Sequence, residues 1–357
     1  MIRTTKRLTN IGLDDDVVLY PTYAQRLDDG SGWRIPIWGT VYEMNRASIR
    51  KRMLVRILKR IMKADRAAFQ TDLFRQRIRH FVAATERFKR VSVKIGDQLY
   101  RLRRRSRGNG NFRGVLKLTN YQVARLTAEG QVRDGWLRYE VVSRGKVDRQ
   151  FEGHVQLIEP NGISVISDID DTMKNTQVHD LRLMLGNTFL EEFEPIDDLQ
   201  AIYTQWAAAG ASFHYVSASP WPLFEPLRHF CQEAGFPEGS YHLRLLRLRD
   251  HMLRRIPVLR RHGKGGKIKR ILRAFPNRRF ILVGDSAERD PEIYGAAARL
   301  YGDRVAAIYI RQVAPRLLDE RRMAKVFRGL PRQLWRTFEA AEELPGELAP
   351  EPASLLV

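Results

Sequence analysis

The chain has 357 residues, of which 43% are hydrophobic and 10% aromatic, so it can build hydrophobic cores and is not disordered throughout. Its single cysteine excludes a disulfide framework and a cysteine-based zinc site within one chain, and no apolar run approaches the roughly 20 residues needed to cross a bilayer. The first residues carry basic side chains without a following apolar stretch, which argues against a secretory signal and favours a cytoplasmic protein. The length favours two domains over one.

The net charge of +21 is concentrated in the first part of the chain. Residues 1–150 hold 34 basic and 14 acidic side chains, whereas residues 151–357 hold 28 and 27. Within the first part, residues 46–117 alone hold 23 basic and 4 acidic side chains. This asymmetry indicates two separate roles, with the basic half meeting a membrane, a nucleic acid or another polyanion.

Residues 1–158 are predicted to form a basic, β-rich accessory domain. Alternating character predicts a strand from Trp33 to Glu43, and residues 46–90 then switch to helical spacing. Further strand-like runs are separated by Gly, Asn and Asp turns: VSVKIGDQLYRL, FRGVLKLT, GWLRYEVVS and GHVQLIEP. We therefore predict a β-sandwich-like domain with a helical insertion at about residues 46–90.

The insertion begins with an amphipathic pattern over residues 46–63. Seven apolar residues fall on one helical face, and eight Lys or Arg occupy the rest. This pattern is typical of a helix that lies on anionic lipid, and the candidate membrane-binding residues are Arg50, Lys51, Arg56, Lys59 and Arg60. The same pattern fits a helix whose apolar stripe packs on its own domain, and both alternatives stay open. A second basic cluster, residues 101–107, could bind phosphates of any origin.

Residues 159–313 alternate between strand-like and helical runs, which predicts an α/β domain with a parallel sheet and helices on both faces. The strand-like runs are residues 163–167, 212–216, 241–246, 279–284 and 304–310. The helical runs lie near residues 195–209, 221–234, 265–275 and 291–300. Residues 314–357 are predicted to be a helical extension that ends in a mobile acidic tail rich in Pro and Glu.

Polar residues follow several of these strands, where open parallel sheets bind their ligands. Carboxylates that converge on one point repel unless a cation neutralises them, and hard oxygen ligands favour Mg²⁺. The sequence therefore predicts a Mg²⁺ site at this edge of the sheet. The candidate residues are Asp168, Asp170, Ser217, Lys264, Lys267, Asp285 and Asp290.

These residue types have complementary roles in phosphoryl transfer. Asp168, at the end of its strand, is the natural nucleophile for an aspartyl-phosphate, and Asp170 can protonate the leaving oxygen and later take a proton from water. Ser217 can donate to a phosphoryl oxygen, while a lysine steadies the developing charge. Asp285 would complete the metal shell, with Asp290 ligating directly or through water.

The motifs DIDDT, Ser217, Lys267 and GDSAERD resemble the four motifs of haloacid-dehalogenase-type phosphatases. More specifically, SDIDDTMKNTQV, YVSASPWPLFEPLRHF and FPNRRFILVGDSAERDPEIY resemble the catalytic domain of the App1 family of phosphatidate phosphatases, over roughly residues 160–313. The resemblance implies a haloacid-dehalogenase-like Rossmannoid sheet and Mg²⁺-dependent conversion of phosphatidic acid to diacylglycerol. It also implies catalytic roles for Asp168, Asp170, Ser217 and Lys267, and metal binding by Asp168, Asp170, Asp285 and Asp290.

The segment HGKGGKIKR departs from the expected His-Lys pair at the start of its helix. Lys267 is favoured over Lys264 as the motif lysine because it stands four residues before Ile271 in the helical register. The gaps between motifs leave no room for a large cap, although a short helical flap near residues 181–190 fits. Such an open site suits substrates that cannot be engulfed, such as lipid headgroups in a bilayer or macromolecules.

The expected function is that of a cytoplasmic, peripherally membrane-associated phosphatidate phosphatase acting on an anionic phospholipid surface. One alternative keeps the catalysis but acts on nucleic-acid 3′-phosphate ends, although the sequence has no recognised nucleic-acid-binding motif. A second alternative is a non-catalytic module that binds anionic lipid.

Overall fold

The computed structural model describes residues 9–47, 49–144, 150–245 and 263–348. The chain separates into two compact units, and both draw on more than one stretch of sequence. The first unit comprises Met1–Ile57, Ile78–Pro160 and Gly239–Tyr241. The second unit comprises Leu58–Arg77, Asn161–Glu238 and His242–Val357.

The first unit is built on a ten-stranded sheet in which most pairings are antiparallel and β10 pairs with β2 in parallel. The hydrogen-bonded order is β1-β3-β2-β10-β9-β5-β6, with β4 and β7 paired to β3 and β8 paired to β9. The strands are β1 (Asp15–Leu19), β2 (Thr22–Arg26), β3 (Gly32–Ala47), β4 (Ala83–Thr85), β5 (Ser92–Ile95), β6 (Gln98–Arg101), β7 (Asn111–Thr119), β8 (Val132–Arg133), β9 (Trp136–Val141) and β10 (Phe151–Leu157).

The long strand β3 organises this sheet because it pairs with four other strands. Its alternate residues Ile35 and Ile37 are buried in the hydrophobic core with Val93, Leu118 and Val155 from neighbouring strands. The prediction that the N-terminal part of the chain is β-rich is thereby confirmed, as a mixed, mainly antiparallel sheet. The finer arrangement as a sandwich stays a prediction.

Helices interrupt the sheet where the sequence changes from alternating to helical spacing. The predicted insertion contains α1 (Ile49–Met62), a 3₁₀ helix (Arg66–Gln70) and α2 (Asp72–Val82), between β3 and β4. A further helix, α3 (Asn120–Ala128), was not predicted, although a capping box between Thr119 and Gln122 starts it.

The chain after residue 160 contains a six-stranded parallel sheet with helices, as the alternating pattern predicts. The strand order is β13-β12-β11-β14-β15-β16. The strands are β11 (Ile163–Ser167), β12 (Ser212–Pro220), β13 (Gly239–Arg244), β14 (Arg279–Asp285), β15 (Val305–Arg311) and β16 (Trp335–Phe338). The helices are α4 (Leu181–Phe189), α5 (Leu199–Ala208), α6 (Phe224–Glu233), α7 (Lys264–Ala274), α8 (Asp290–Tyr301) and α9 (Glu320–Val326).

The register of the three central strands determines where the site lies. Ser167 of β11 is opposite Tyr215 of β12 and Val283 of β14. Asp168, Ser217 and Asp285 therefore follow at nearly the same level, at the carboxyl edge of the sheet.

The extension after residue 313 adds a strand to this sheet, since β16 pairs in parallel with β15. The predicted acidic tail is described only as far as residue 348. The last residue of the predicted strand 241–246 also lies outside the described residues. Among the helices that the structure describes, none has the length and apolarity needed to cross a membrane.

Candidate active site

Two buried carboxylates stand at the ends of adjacent central strands. Asp168 follows β11 and Asp285 ends β14, and neither is accessible to solvent. The backbone N–H of Asp168 donates to the carbonyl of Val283 at 2.9 Å, which continues the strand pairing to the first carboxylate. The backbone N–H of Glu288 donates to Oδ1 of Asp285 at 2.8 Å, so the turn after β14 brings a third acidic residue to the same place.

Asp168, Asp285 and Glu288 can each offer one oxygen to a single cation. The three oxygens lie within 4.8 Å of one another. Oδ2 of Asp168 and Oδ2 of Asp285 are buried, and neither has a hydrogen-bond partner among the described residues. Because burying a carboxylate without compensation costs free energy, this set fits a divalent cation with oxygen ligands.

One lysine side chain lies among these carboxylates. The Nζ of Lys264, from the first residue of α7, is 2.9 Å from Oδ1 of Asp168, 2.5 Å from Oδ1 of Asp290 and 3.4 Å from Oε2 of Glu288. Burial disfavours its charged form, but the carboxylates of Asp168, Asp290 and Glu288 outweigh burial and raise the pKa of Lys264 well above its usual value. Lys264 is therefore a fixed positive charge beside the expected nucleophile.

Burial also raises the pKa values of the acidic groups. It raises the pKa of Asp168 well above its usual value; Lys264 opposes this rise, and Asp290, Glu288 and Asp285 add to it. The pKa of Asp285 is raised well above its usual value for the same principal reason. Without a metal, the site thus favours protonated carboxyl groups, and a cation would hold them ionised.

Asp170 lies in a different environment, two residues after Asp168. Its Oδ1 is 3.0 Å from Nζ of Lys174, and its Oδ2 accepts hydrogen bonds of 2.8 Å from the hydroxyls of Ser217 and Ser219. Burial raises the pKa of Asp170, but Lys174 and the two serines outweigh burial and lower it to about 2. Asp170 is therefore held as a carboxylate that can accept a proton.

Asp171 shapes the loop between these groups. Its backbone is in the left-handed region, with φ of 57°, and its carboxylate accepts 2.7 Å hydrogen bonds from the backbone N–H groups of Thr176, Gln177 and Val178. This arrangement fixes the turn that presents Asp168 and Asp170, so the role of Asp171 is structural.

The two candidate lysines have different partners. Lys264 contacts Asp168, whereas Nζ of Lys267 donates to the backbone carbonyl of Ser217 at 3.0 Å. Burial, together with the nearby charges of Lys264 and Arg244, lowers the pKa of Lys267 to about 7. The lysine beside Asp168 is thus Lys264, whereas the helical register favoured Lys267.

Asp290 and Ser217 both lie at the site and contact protein groups there. Asp290 pairs with Lys264 and accepts from the backbone N–H of Asp285 at 3.4 Å, while Glu288 supplies the third oxygen of the metal-binding set. The hydroxyl of Ser217 donates to Asp170 and accepts from the N–H of Ser219 at 2.8 Å. Both residues lie at the site, as predicted, and their proposed roles stay predictions.

Glu288, Ser219 and Lys174 also belong to the site, although the sequence motifs do not single them out. Glu288 stands three residues after Asp285 in the same turn, and Lys174 stands four residues after Asp170. Ser219 stands two residues after Ser217. Each spacing could have been a signal, but acidic, basic and hydroxyl residues at such spacings are common in surface turns.

The five candidate membrane-binding residues lie on α1. Arg56 and Arg60 are exposed, and Lys59 is half-buried with its Nζ 4.9 Å from the ring centroid of Phe69. The side chains of Arg50 and Lys51 lie outside the described set.

The fold and the site define an α/β domain with a buried carboxylate cluster suited to a metal at the carboxyl edge of its sheet. Residues 163–312 match the family described as phosphatidate phosphatase APP1, catalytic domain.

Two curated proteins are similar to part of this chain. Over 178 residues the chain is 36% identical to the phosphatidate phosphatase APP1 of Saccharomyces cerevisiae, an alignment that covers 46% of this chain and 30% of the yeast protein. It is 32% identical over 178 residues to an uncharacterized protein of Schizosaccharomyces pombe, covering 48% of this chain and 28% of that protein. The chain thus spans less than a third of the length of these two relatives.

Proposed function

We propose that this chain is a Mg²⁺-dependent phosphatidate phosphatase that converts phosphatidic acid to diacylglycerol through an aspartyl-phosphate on Asp168. The domain would be haloacid-dehalogenase-like, as the order of its motifs implies. One observation carries the proposal: Asp168 is buried at a strand end, within reach of Asp285, Glu288 and the ammonium of Lys264. A carboxylate that is buried and held beside positive charge can attack phosphorus without first losing a shell of water.

The residues divide the proposed reaction into two halves. In the first half, an oxygen of Asp168 bonds to phosphorus, the ester bond to the glyceryl oxygen breaks, and Asp170 donates a proton to that oxygen. In the second half, Asp170 takes a proton from water, which attacks phosphorus and releases Asp168 and inorganic phosphate. When bound, Mg²⁺ would be held by Asp168, Asp285 and Glu288 and would supply positive charge beside the phosphoryl oxygens.

The resting state of Asp170 suits the second half, because its pKa is lowered to about 2 and it is ionised at neutral pH. For the first half it must carry a proton. The negative charge of a bound phosphoryl group next to Asp170 raises its proton affinity and supports this role.

We propose that Lys264, rather than Lys267, is the motif lysine that stabilises the charge on Asp168 and on the group in transfer. Lys267 would then hold the backbone at Ser217 and, while protonated, add positive charge beside the phosphate. The contact of Lys264 with Asp168 and Asp290 supports this division.

We propose that the basic helix α1 brings the enzyme to an anionic phospholipid surface, as a peripheral association from the cytoplasm. The concentration of positive charge in residues 46–117 supports this, as does the exposure of Arg56, Arg60 and the apolar Met53, which is 58% exposed. Basic side chains near such a surface contribute about 1 kcal/mol each.

The test is release of inorganic phosphate by the full chain, with and without Mg²⁺, from vesicles that contain phosphatidate, lysophosphatidate or diacylglycerol pyrophosphate and from 3′-phosphorylated DNA. The proposal expects Mg²⁺-dependent release from phosphatidate, with diacylglycerol as the second product. Release only from DNA would show that the substrate is a nucleic-acid 3′-phosphate end and not phosphatidate. No release from any of these substrates would reject an enzymatic function.

A further inference from the structure

We infer that Arg77, from the insertion in the basic half of the sequence, is a positioning residue for Asp170 and acts through Phe193 and Lys174. This inference rests on the proposed function, because it assigns a catalytic consequence to the position of Asp170. Arg77 lies far outside residues 163–312, the segment that matches the catalytic-domain family. It belongs nevertheless to the same compact unit as that segment.

The chain of contacts begins at Asp170. Lys174 is 1% exposed, and its Nζ lies 3.0 Å from Oδ1 of Asp170 and donates to Oγ1 of Thr176 at 2.6 Å. Thr176 in turn donates to the same oxygen of Asp170 at 3.1 Å. The direction in which this carboxylate points therefore depends on where the ammonium of Lys174 is held.

The next contact is an aromatic ring. Nζ of Lys174 lies 4.4 Å from the ring centroid of Phe193, and the guanidinium carbon of Arg77 lies 3.5 Å from the same centroid. Phe193 also meets Phe230 edge-on, with centroids 5.7 Å apart. A ring in contact with two cations stabilises both, and its position limits where the lysine can go.

Arg77 is itself firmly held at the end of this chain. It is 4% exposed, its Nη1 donates to the carbonyl of Thr188 in α4 at 2.8 Å, and its Nη2 lies 3.4 Å from Oε2 of Glu192. Burial lowers the pKa of Arg77 to about 10. Such burial of a charged side chain is costly unless its contacts are well formed, so Arg77 and the segment 188–193 hold each other in place.

The consequence for the reaction follows from geometry. Without Arg77, Phe193 loses one of its contacts, Lys174 gains freedom, and Oδ1 of Asp170 loses a fixed partner. Small displacements of a proton donor lower the rate of the chemical step much more than they change binding of the phosphate.

The experiment compares three full-length variants with wild type, using phenyl phosphate, a substrate that needs no membrane and whose leaving oxygen benefits from protonation. We expect Arg77→Met to lower kcat about tenfold and to leave KM within about twofold, because positioning and not phosphate binding is impaired. Arg77→Lys keeps the charge but not the planar stacking group, so its kcat should lie between those of wild type and Arg77→Met. Arg75→Met, on the same helix with a side chain 67% exposed, is the matched control and should leave kcat unchanged.

A double-mutant cycle distinguishes positioning from general damage. If Arg77 acts through Lys174, then Arg77→Met should lower kcat about tenfold in the wild-type background but hardly at all in a Lys174→Met background. Independent, multiplying effects would overturn the inference, as would wild-type kcat in folded Arg77→Met. If Arg77→Met does not fold, Arg77→Lys takes its place in the cycle. Either wild-type kcat in Arg77→Lys, or effects of Arg77→Lys and Lys174→Met that multiply independently, would then overturn the inference. If the wild-type protein releases no phosphate from phosphatidate vesicles with Mg²⁺, the proposed function itself would be rejected.

Discussion

The Nζ of Lys264 lies 2.9 Å from Oδ1 of Asp168, so the expected nucleophile and a buried ammonium form one pair. The same ammonium also contacts Asp290 and Glu288. One positive charge cannot balance these carboxylates together with Asp285, because like charges in a buried site repel strongly. The pair therefore explains both why a cation fits beside Asp168 and why Lys264 must stay charged.

Replacement of Lys264 should separate the roles of the two lysines. Lys264→Met removes the charge beside Asp168, and we expect kcat on p-nitrophenyl phosphate to fall at least about 100-fold, as for loss of a group that stabilises charge in the transition state. Lys267→Met should have a smaller effect. Lys269→Met, at an exposed position of the same helix, is the control and should keep wild-type kcat. The reverse order, with Lys267→Met the more damaging, would return the motif role to Lys267.

Glu288 should contribute directly to metal binding. Glu288→Gln keeps the size of the side chain but removes a charged ligand, so we expect Mg²⁺ affinity to fall at least about tenfold in isothermal titration calorimetry. The stabilisation of the folded protein by a fixed Mg²⁺ concentration should shrink accordingly in thermal unfolding. Glu233→Gln, at a side chain 67% exposed and remote in sequence, is the control. Unchanged Mg²⁺ affinity in Glu288→Gln would exclude Glu288 as a ligand.

The pH dependence of activity should report Lys267. Because its pKa is lowered to about 7, Lys267 is protonated below pH 7 and becomes neutral as the pH rises. We expect kcat/KM to fall as the pH rises through about 7, since the neutral amine no longer attracts the phosphoryl group. Lys267→Arg keeps its charge throughout and should lose this decline. Measuring both proteins with one substrate cancels the ionisation of the substrate, and identical pH profiles would contradict the assignment.

Docking on lipid should depend on the charges of α1. Neutralising Arg50, Lys51, Arg56, Lys59 and Arg60 should weaken binding to vesicles of anionic phospholipid and should spare hydrolysis of p-nitrophenyl phosphate. The control neutralises five exposed basic residues elsewhere: Lys269, Arg273, Arg321, Lys325 and Arg328. Binding should also weaken as salt rises. Equal vesicle binding by the two variants would show that α1 is not the docking surface.

Much of the second unit could be predicted from the sequence because its strands are short apolar runs bounded by turns. The predicted strand 163–167 coincides with β11, and Asp168 and Asp285 follow from the rule that ligands bind at the carboxyl edge of a parallel sheet. Strand β16 was missed because its four residues, WRTF, are too few and too polar to form a recognisable pattern.

The parts of the site that were missed depend on tertiary structure. Nothing in the spacing of Lys264 and Lys267 tells which ammonium reaches Asp168, because the start of α7 decides it. Likewise, the contact between Arg77 and Phe193 forms within the second unit and joins residues 116 positions apart in sequence. Local patterns cannot predict such long-range contacts.

The central claim is that Asp168 is the nucleophile of a Mg²⁺-dependent phosphatidate phosphatase. It is tested most directly by phosphate release from phosphatidate vesicles, in wild type and in Asp168→Asn, with and without an excess of chelator. The account predicts Mg²⁺-dependent turnover by wild type and none by Asp168→Asn, which should still unfold cooperatively because Asn keeps the shape of the buried side chain. Turnover by Asp168→Asn, or by wild type in excess chelator, would contradict it.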